Sequence, residues 1–468
     1  MIRKITDLIE KHGALILVAI FFEGIASLGI EILTLRQLVP VAGTSIPVTS
    51  TAIGLFLLFL AVGYYFGGKV ETHYLEKVGR NFFFAGLWSG VSLSTVVATL
   101  FFGNQMPVML QLWLYLLVCM APPVYWLGQT VPILSNLFKS NSKGEASGTA
   151  LFFSTMGSFL GSVSLSLLLM RYLGVSPTLF LISISLVILG LNMYGVRKLS
   201  VILLFFSVVA IFLSVFINLV APRGYFISQT AYADYRLFKD DQQKYFLVNQ
   251  QAASGVNKDG SNFPYIEKIR NTINQLGVKN QEILVIGSGG FTLSQSGNPN
   301  RYLFVDIDPD ISKAVLSSGF LKQINGQVIS EDGRAYLRQM RNINKKFPVV
   351  VIDAYTSRTS MPSQLATAEF HREILSVLPD DGVVIYNLIF DPLLKTAFAQ
   401  NSLATIQSVF GSCGINVMDY QAALSNVIIV CSASSAKQKA ALYNDEKNNV
   451  SFDLFAIHDM WRLAGKAK

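Results

Sequence analysis

Charge is scarce in this chain: only 14% of its 468 residues are Asp, Glu, Lys or Arg, against about 25% in an ordinary soluble protein. Histidine and cysteine are scarcer still. His12, His73, His371 and His458 stand far from one another and from the three cysteines. No metal-ligand spacing results, so no metal site is expected. A Lys/Arg-rich run interleaved with aromatics is also missing. The net charge of +8 is therefore read as basic loops and not as nucleic-acid binding. Met1 to Gly13 is polar, and the first apolar run is long and lacks a small-residue cleavage site. The first helix is expected to serve as its own insertion signal and not as a cleaved leader.

What the chain has in excess is apolar sequence. Hydrophobic residues make up 51% and mean hydropathy is +0.46, with the surplus in the first half. Seven spans are expected, near residues 14–33, 50–67, 82–102, 108–127, 146–170, 176–194 and 199–220. Each has about the 20 residues a bilayer core requires. The fourth runs on past Pro122-Pro123 toward Phe138, so a kink or break is expected there. Gly148, Ser154, Gly157, Gly161 and Ser162 in the fifth suit close helix packing. Glu23 and Glu31 lie inside the first span. A carboxylate at that depth faces protein or a water-filled cavity, as a substrate or proton site or as a structural bond to a neighbouring helix.

One set of loops carries Arg3, Lys4, Lys11, Lys69, Lys77, Arg80, Lys139, Lys143, Arg197 and Lys198, ten residues, and the opposite set carries two, Arg36 and Arg171. This bias places the amino terminus in the cytoplasm. With seven spans, the remainder of the chain then lies outside a plasma (inner) membrane. The charge bias favours that side, and the side stays open.

After Ala221 the pattern changes. Strands are expected near 235–238, 244–249, 282–286, 301–306, 327–330, 349–353, 382–387, 415–420 and 426–431. Helices alternate with them near 265–276, 309–318, 333–340, 365–378 and 393–410. The tail, 436–468, reads as helical and polar. Unbroken apolar strands separated by amphipathic helices indicate a mostly parallel sheet. The expected divisions are a helical bundle over 1–220, a linker with small strand and helix segments over 221–280, and a doubly wound α/β domain over 281–468.

Three elements of that domain carry chemistry. Ile283-Leu284-Val285-Ile286 runs into Gly287-Ser288-Gly289-Gly290, and glycine permits both a tight turn and close backbone approach by a ligand. About 20 residues on, a strand ends at Asp306-Ile307-Asp308, where an acid suits the two hydroxyls of a ribose. Glu331-Asp332-Gly333-Arg334 follows the next strand, where a carboxylate can accept the exocyclic amine of adenine. Thr292 stands where a dinucleotide motif has its third glycine, so one nucleoside fits better than a pyrophosphate-bridged pair.

These residues resemble the spermidine synthase family, and specifically its members with an apolar amino-terminal bundle. The glycine motif at 285–292, Val305-Asp306-Ile307-Asp308-Pro309, Glu331-Asp332-Gly333-Arg334-Ala335-Tyr336-Leu337, Val351-Ile352-Asp353 and Glu369-Phe370 are similar to that family. So are Asn249-Gln250-Gln251 and Tyr265-Ile266-Glu267 upstream. The resemblance implies an α-helical membrane bundle joined to a Rossmann-like domain of the methyltransferase or spermidine synthase type. It also implies aminopropyl transfer from decarboxylated S-adenosylmethionine to an amine, releasing methylthioadenosine. Gly287, Gly289, Gly290, Asp306, Ile307, Asp332 and Gly333 are then expected to bind the cosubstrate. Asp353, Tyr355 and Tyr265 are expected at the reacting centre, and Gln251 and Glu267 on the acceptor. Expected partners are a small amine or other nucleophile, the lipid bilayer and a second copy of the chain, without nucleic acid.

The chain departs from the family where the acceptor would bind. The family places a second aspartate three residues after the first. Here Asp353 is followed by Ala354-Tyr355-Thr356-Ser357, and no acid occurs before Glu369. Gly290 replaces an aspartate and Ile266 a histidine. Putrescine is therefore expected to be a poor acceptor. Methyl or another alkyl transfer from S-adenosylmethionine remains open, as do a transport or nucleoside-sensing role and a regulator without turnover. Cys413 and Cys431 would sit opposite each other in a hairpin centred near Ala422, either as a disulfide or as two buried thiols.

Overall fold

The computed structural model describes residues 13–103, 106–138, 143–195, 199–249, 251–295, 299–355, 361–436, 442–446, 448–454 and 456–457. Arg3, Lys4, Lys11, Lys139, Arg197 and Lys198 of the basic loops lie outside the described residues. So do Gln250, Thr356, Ser357 and the end of the tail. The chain divides into two compact units, one holding residues 1–42, 48–225 and 229–231, the other 43–47, 226–228 and 232–468.

The first unit is helical: α1 (Ala14–Ala42), α2 (Ile46–Gly67), α3 (Tyr74–Ser92), α4 (Thr95–Phe102), α5 (Val108–Ser135), α6 (Gly144–Leu173), α7 (Val175–Tyr194) and α8 (Val201–Tyr225). Among the described residues, six helices are long and apolar enough to cross a membrane. They become seven if α3 and α4, bent by 60°, form one span. Helix α5 runs through Pro122-Pro123 without the expected break, and its irregularity is a π-helical turn at Leu116–Met120, just before the prolines. Each proline removes one helix hydrogen bond, freeing the carbonyls of Val118 and Cys119. Trp88 Nε1 donates to the first at 3.0 Å and Ser92 Oγ to the second at 3.1 Å. With both acceptors satisfied, α5 continues. The sharp bend lies instead at Leu93-Ser94, where Ser94 Oγ accepts from Val97 N at 3.3 Å and caps a new helix.

Small residues bring helices together as the sequence suggests. A Cβ at Gly161 would come within 2.8 Å of Ile25 Cα, and one at Gly157 or Gly24 would run into the facing backbone. A Cβ at Gly148 would meet nothing within 4 Å, so Gly148 takes no part in this seam. Ser154 Oγ donates to Glu23 Oε2 at 2.8 Å, so the buried Glu23 is bonded between α1 and α6.

The second unit begins with three antiparallel strands, β1 (Asp234–Lys239), β2 (Gln243–Val248) and β3 (Gln251–Asn257). Helix α9 (Pro264–Gln275) leads to the main fold: β4 (Glu282–Ile286), β5 (Arg301–Asp306), α10 (Ile311–Ser317), β6 (Gln327–Ser330), α11 (Gly333–Asn342), β7 (Val349–Ile352), α12 (Ala368–Val377), β8 (Val383–Phe390), α13 (Ala397–Phe410), β9 (Cys413–Val417) and β10 (Ser425–Ser432). The seven strands order as β9-β10-β8-β7-β4-β5-β6, and only the contacts of β10 are antiparallel. This is the doubly wound sheet expected from the apolar strand runs. Ile283, Leu284, Val349, Val350, Val351 and Ile385 are fully buried, with helices on both faces.

Cys413 pairs with Cys431 across β9 and β10, and a disulfide joins them. The tail differs from its expected polar character. Tyr443, Val450, Leu454 and Ile457 are buried in the core that also holds Phe370 and Phe398.

Candidate active site

The strand order reverses at β4. The chain leaves β4 toward β5 on one side, while β7 pairs on its other side. Loops leaving two such strands diverge and open a crevice at their carboxyl ends. A cavity of about 640 Å³ lies there.

Its rim is the glycine turn. Gly287 has φ +86°, and an added Cβ would lie 2.6 Å from the Asp353 carbonyl carbon and 2.8 Å from Ala354 Cα. No side chain fits at this position, because the ends of β4 and β7 meet there. Ser288 follows and donates twice to Asp306 Oδ2, from its backbone N at 3.0 Å and its Oγ at 2.6 Å. Asp306 Oδ1 accepts from Asp308 N at 3.0 Å. Burial holds the Asp306 carboxyl above its usual value, and these hydrogen bonds offset only part of that rise. Asp308 in turn accepts from the Tyr235 hydroxyl at 2.6 Å.

Asp332 lines the same cavity and caps α11, its Oδ1 accepting from Arg334 N at 3.0 Å and Ala335 N at 2.9 Å. The helix places Gly333 against Ile286 of β4, too close for a side chain.

Asp353 ends β7 at the cavity wall. Its Oδ1 accepts from Asn387 Nδ2 at 2.7 Å, and its Oδ2 lies 3.3 Å from the Tyr265 hydroxyl, which also faces the Ala253 carbonyl at 3.1 Å. Asn426 Nδ2 donates to Asn387 Oδ1 at 2.9 Å, which fixes which end of the Asn387 amide faces Asp353. Burial pushes the Asp353 carboxyl up to about 6, against the lowering effect of Asn387 and Tyr265. A carboxyl poised there can take a proton near neutral pH. Burial also raises the Tyr265 hydroxyl.

Ten of the residues singled out from the sequence line this cavity: Gln251, Tyr265, Gly287, Gly289, Asp306, Ile307, Asp332, Gly333, Asp353 and Tyr355. Tyr355 has a tied hydroxyl, which accepts from Ile389 N at 2.8 Å and donates to the Asn387 carbonyl at 3.3 Å. Two others do not line it. Gly290 packs under the turn, where a Cβ would meet Ser254 Cβ at 2.7 Å. Glu267 accepts from Arg270 Nη1 and Asn262 N, both at 2.9 Å. The buried Arg270 three residues away needs a counter-charge, and Glu267 supplies it.

Ser288 and Asp308, which the sequence marks only as parts of their motifs, line the cavity as well, as do Asn387 and Asn426, which it does not single out. Asn387 left a signal: a polar residue inside the otherwise apolar run of β8. Ser288 left none beyond its place in the turn. The cavity's charge is one-sided. Its described lining includes Asp306, Asp308, Asp332 and Asp353 and no Lys, Arg or His.

Comparison with known proteins bears on this half of the chain. A polyamine aminopropyltransferase from Pyrobaculum calidifontis is 31% identical over 118 residues, covering 22% of this chain and 40% of the relative. An N-terminal histidine N-methyltransferase from Emericella nidulans is 32% identical over 137 residues, covering 28% of this chain and 24% of that one. The chain thus spans less than half the length of these curated relatives. Among solved structures, spermidine synthase from Thermotoga maritima aligns at 18% identity and TM-score 0.35, over 50% of this chain and 86% of that one. A probable spermidine synthase from Corynebacterium glutamicum aligns at 18% identity and TM-score 0.35, over 43% and 77%. The spermine/spermidine synthase domain family matches residues 262–444. The chain therefore carries a spermidine synthase-like domain over those residues.

Proposed function

We propose that this domain transfers an aminopropyl group from decarboxylated S-adenosylmethionine to an amine and releases methylthioadenosine. The observation that carries this reading is Asp353, poised near neutrality in a cavity whose described lining is acidic and holds no cation. Such a cavity favours a cosubstrate with a sulfonium and an ammonium. Intact S-adenosylmethionine adds a carboxylate, which finds no positive side chain in that lining.

The step needs little from the protein beyond alignment and a proton acceptor. The acceptor nitrogen attacks the carbon next to sulfur and forms the C–N bond. The C–S bond breaks, and its electron pair leaves with sulfur as a neutral thioether. The excess proton on nitrogen passes to the Asp353 carboxylate. Methyl transfer is the second reading, supported by the similarity to the Emericella nidulans methyltransferase. Calorimetric titration of the purified protein separates the two. Decarboxylated S-adenosylmethionine and methylthioadenosine should bind more tightly than S-adenosylmethionine, and the reverse order would favour methyl transfer.

The same titration tests the ribose site. Losing a charge-assisted hydrogen bond costs about 1.5–3 kcal/mol, so Asp306→Ala should weaken methylthioadenosine roughly tenfold or more. Unchanged affinity would remove Asp306 from the site.

We propose further that the protein is a multi-pass membrane protein with this domain on the extracytoplasmic side. The loop bias of ten basic residues to two supports that placement. So does the Cys413–Cys431 disulfide, since such bonds persist in oxidising compartments. Seven spans are then needed, with bent α3–α4 counted as one. A reporter joined after Lys468 should give strong alkaline phosphatase activity. A fluorescent cytoplasmic reporter without phosphatase signal would reverse the placement.

A further inference from the structure

The family match ends at residue 444, yet the cavity wall does not. Ser451 and Leu454 line it, each 6% exposed. They belong to a carboxyl-terminal segment, whose described residues are 442–446, 448–454 and 456–457. Four sets of bonds hold that segment in place. Arg334 donates from Nη1 and Nη2 to both oxygens of Asp445, at 2.9 and 2.7 Å. Asp445 N donates to Glu369 Oε2 at 3.0 Å, and Asn448 Nδ2 to the Ser363 carbonyl at 2.9 Å. The Tyr443 carbonyl accepts from Ala368 N, and Tyr443 N donates to Thr405 Oγ1. Tyr443, Val450 and Ile457 are buried beneath.

These anchors fix which end of the cavity the segment closes. Arg334 follows Gly333 and the cap residue Asp332 on the first turn of α11, and it also donates to the Gln364 carbonyl at 3.2 Å. Ser363, Gln364, Asp332 and Gly333 all line the cavity. The segment is thus bonded to two elements that border the Asp332 end. Asp353, Tyr265 and Asn387 belong to a different group of elements.

We propose that this segment is the nucleobase wall of the site, with Leu454 offering an apolar surface to the base and Ser451 a hydroxyl beside it. The inference rests on the reading of the cavity as an adenosine site with the base toward Asp332. It assigns the selection of the base to residues beyond the family-matched domain. The Arg334–Asp445 pair acts as the latch: it positions the wall without touching the ligand.

The test uses the full-length protein in detergent. Methylthioadenosine carrying an 8-azido group is photolysed on the wild-type protein and the labelled peptides are mapped. Label within residues 442–457 is the expected result, and labelling confined to other segments would overturn the proposal. In parallel, methylthioadenosine affinity is measured for Ser451→Phe, Leu454→Ala and Asp445→Ala. Filling the wall with Ser451→Phe should abolish measurable binding. Leu454→Ala should weaken it roughly tenfold, by the apolar area removed from contact, and Asp445→Ala should act mainly by faster dissociation. Wild-type affinity in folded Ser451→Phe and Leu454→Ala proteins would also overturn the wall. Failure of the wild-type protein to bind methylthioadenosine at all would instead overturn the adenosine reading beneath it.

Discussion

Asp353→Asn is expected to lower the rate of methylthioadenosine release from decarboxylated S-adenosylmethionine by about 10²–10⁴-fold, the usual worth of a positioned general base. The substitution is nearly isosteric. Asn387 can still donate to the amide oxygen at this position, so binding of methylthioadenosine should change little. The pH profile gives the argument its sign. The active form is the carboxylate, and burial raises its pKa to about 6. Activity should therefore fall tenfold per unit below about pH 6 and level off above it. Stability should move the other way. An unfolded aspartate titrates near 3.9, so between about pH 4 and 6 the folded state holds a proton that the unfolded chain has released. Folding stability then declines as pH rises through that window, and the deficit persists above it. The amide of the Asp353→Asn variant does not titrate and carries no such deficit. The inactive variant should therefore melt no lower than the wild type at pH 7.5. A rate within tenfold of wild type, measured over a panel of amines, would remove Asp353 from the mechanism.

The contrast between Asp353 and its neighbours shows what a linear sequence can carry. An acid at the carboxyl end of an apolar parallel strand points toward a crevice whatever the rest of the fold does. That is why Asp306, Asp332 and Asp353 were legible, and why all three line one cavity. Gly287 was legible for the same reason, being fixed by strand geometry. Glu267 and Gly290 stand off the cavity lining because of partners in space that the linear sequence does not show. Arg270 claims Glu267, and Ser254 and Phe320 fill the space beside Gly290. Asn387 needed the register of β8 between β7 and β10, which only the assembled sheet supplies. In the helical unit, Pro122-Pro123 marked a break by local rules, but two side chains of α3 satisfy the freed carbonyls and the helix continues. The tail read as polar because its apolar residues, Tyr443, Val450, Leu454 and Ile457, are thinly spaced. Their common burial is a tertiary fact.

Arg334→Ala should cost about 3 kcal/mol of stability, near the low end for breaking a buried ion pair. The residue makes unusually complete use of its side chain. Nε donates to Glu373 Oε2 at 2.8 Å, and Nη2 reaches Glu373 Oε1 at 3.3 Å. Both nitrogens Nη1 and Nη2 bond Asp445, and Nη1 also bonds the Gln364 carbonyl. All five guanidinium hydrogens are thereby engaged. Removing them leaves Glu373, a buried carboxylate, with Arg338 as its remaining ion-pair partner, at 2.9 Å from an exposed side chain. That residual pair is why the cost sits at the low end. Arg334→Lys should recover only part of it, because an ammonium has three donors and cannot span two carboxylates in a plane. Asp445 adds a pH signature. Its hydrogen bond to Arg334 holds its carboxyl below the usual range, so the contribution of this pair is present at neutral pH and is lost as pH falls through that lowered value. Chemical denaturation of the full-length protein in detergent, followed at pH 7.5 and in acid below the lowered Asp445 value, measures both effects. The gap between wild type and Arg334→Ala should narrow in acid, and a gap that is absent at pH 7.5 would mean that Glu373 and Asp445 do not depend on Arg334.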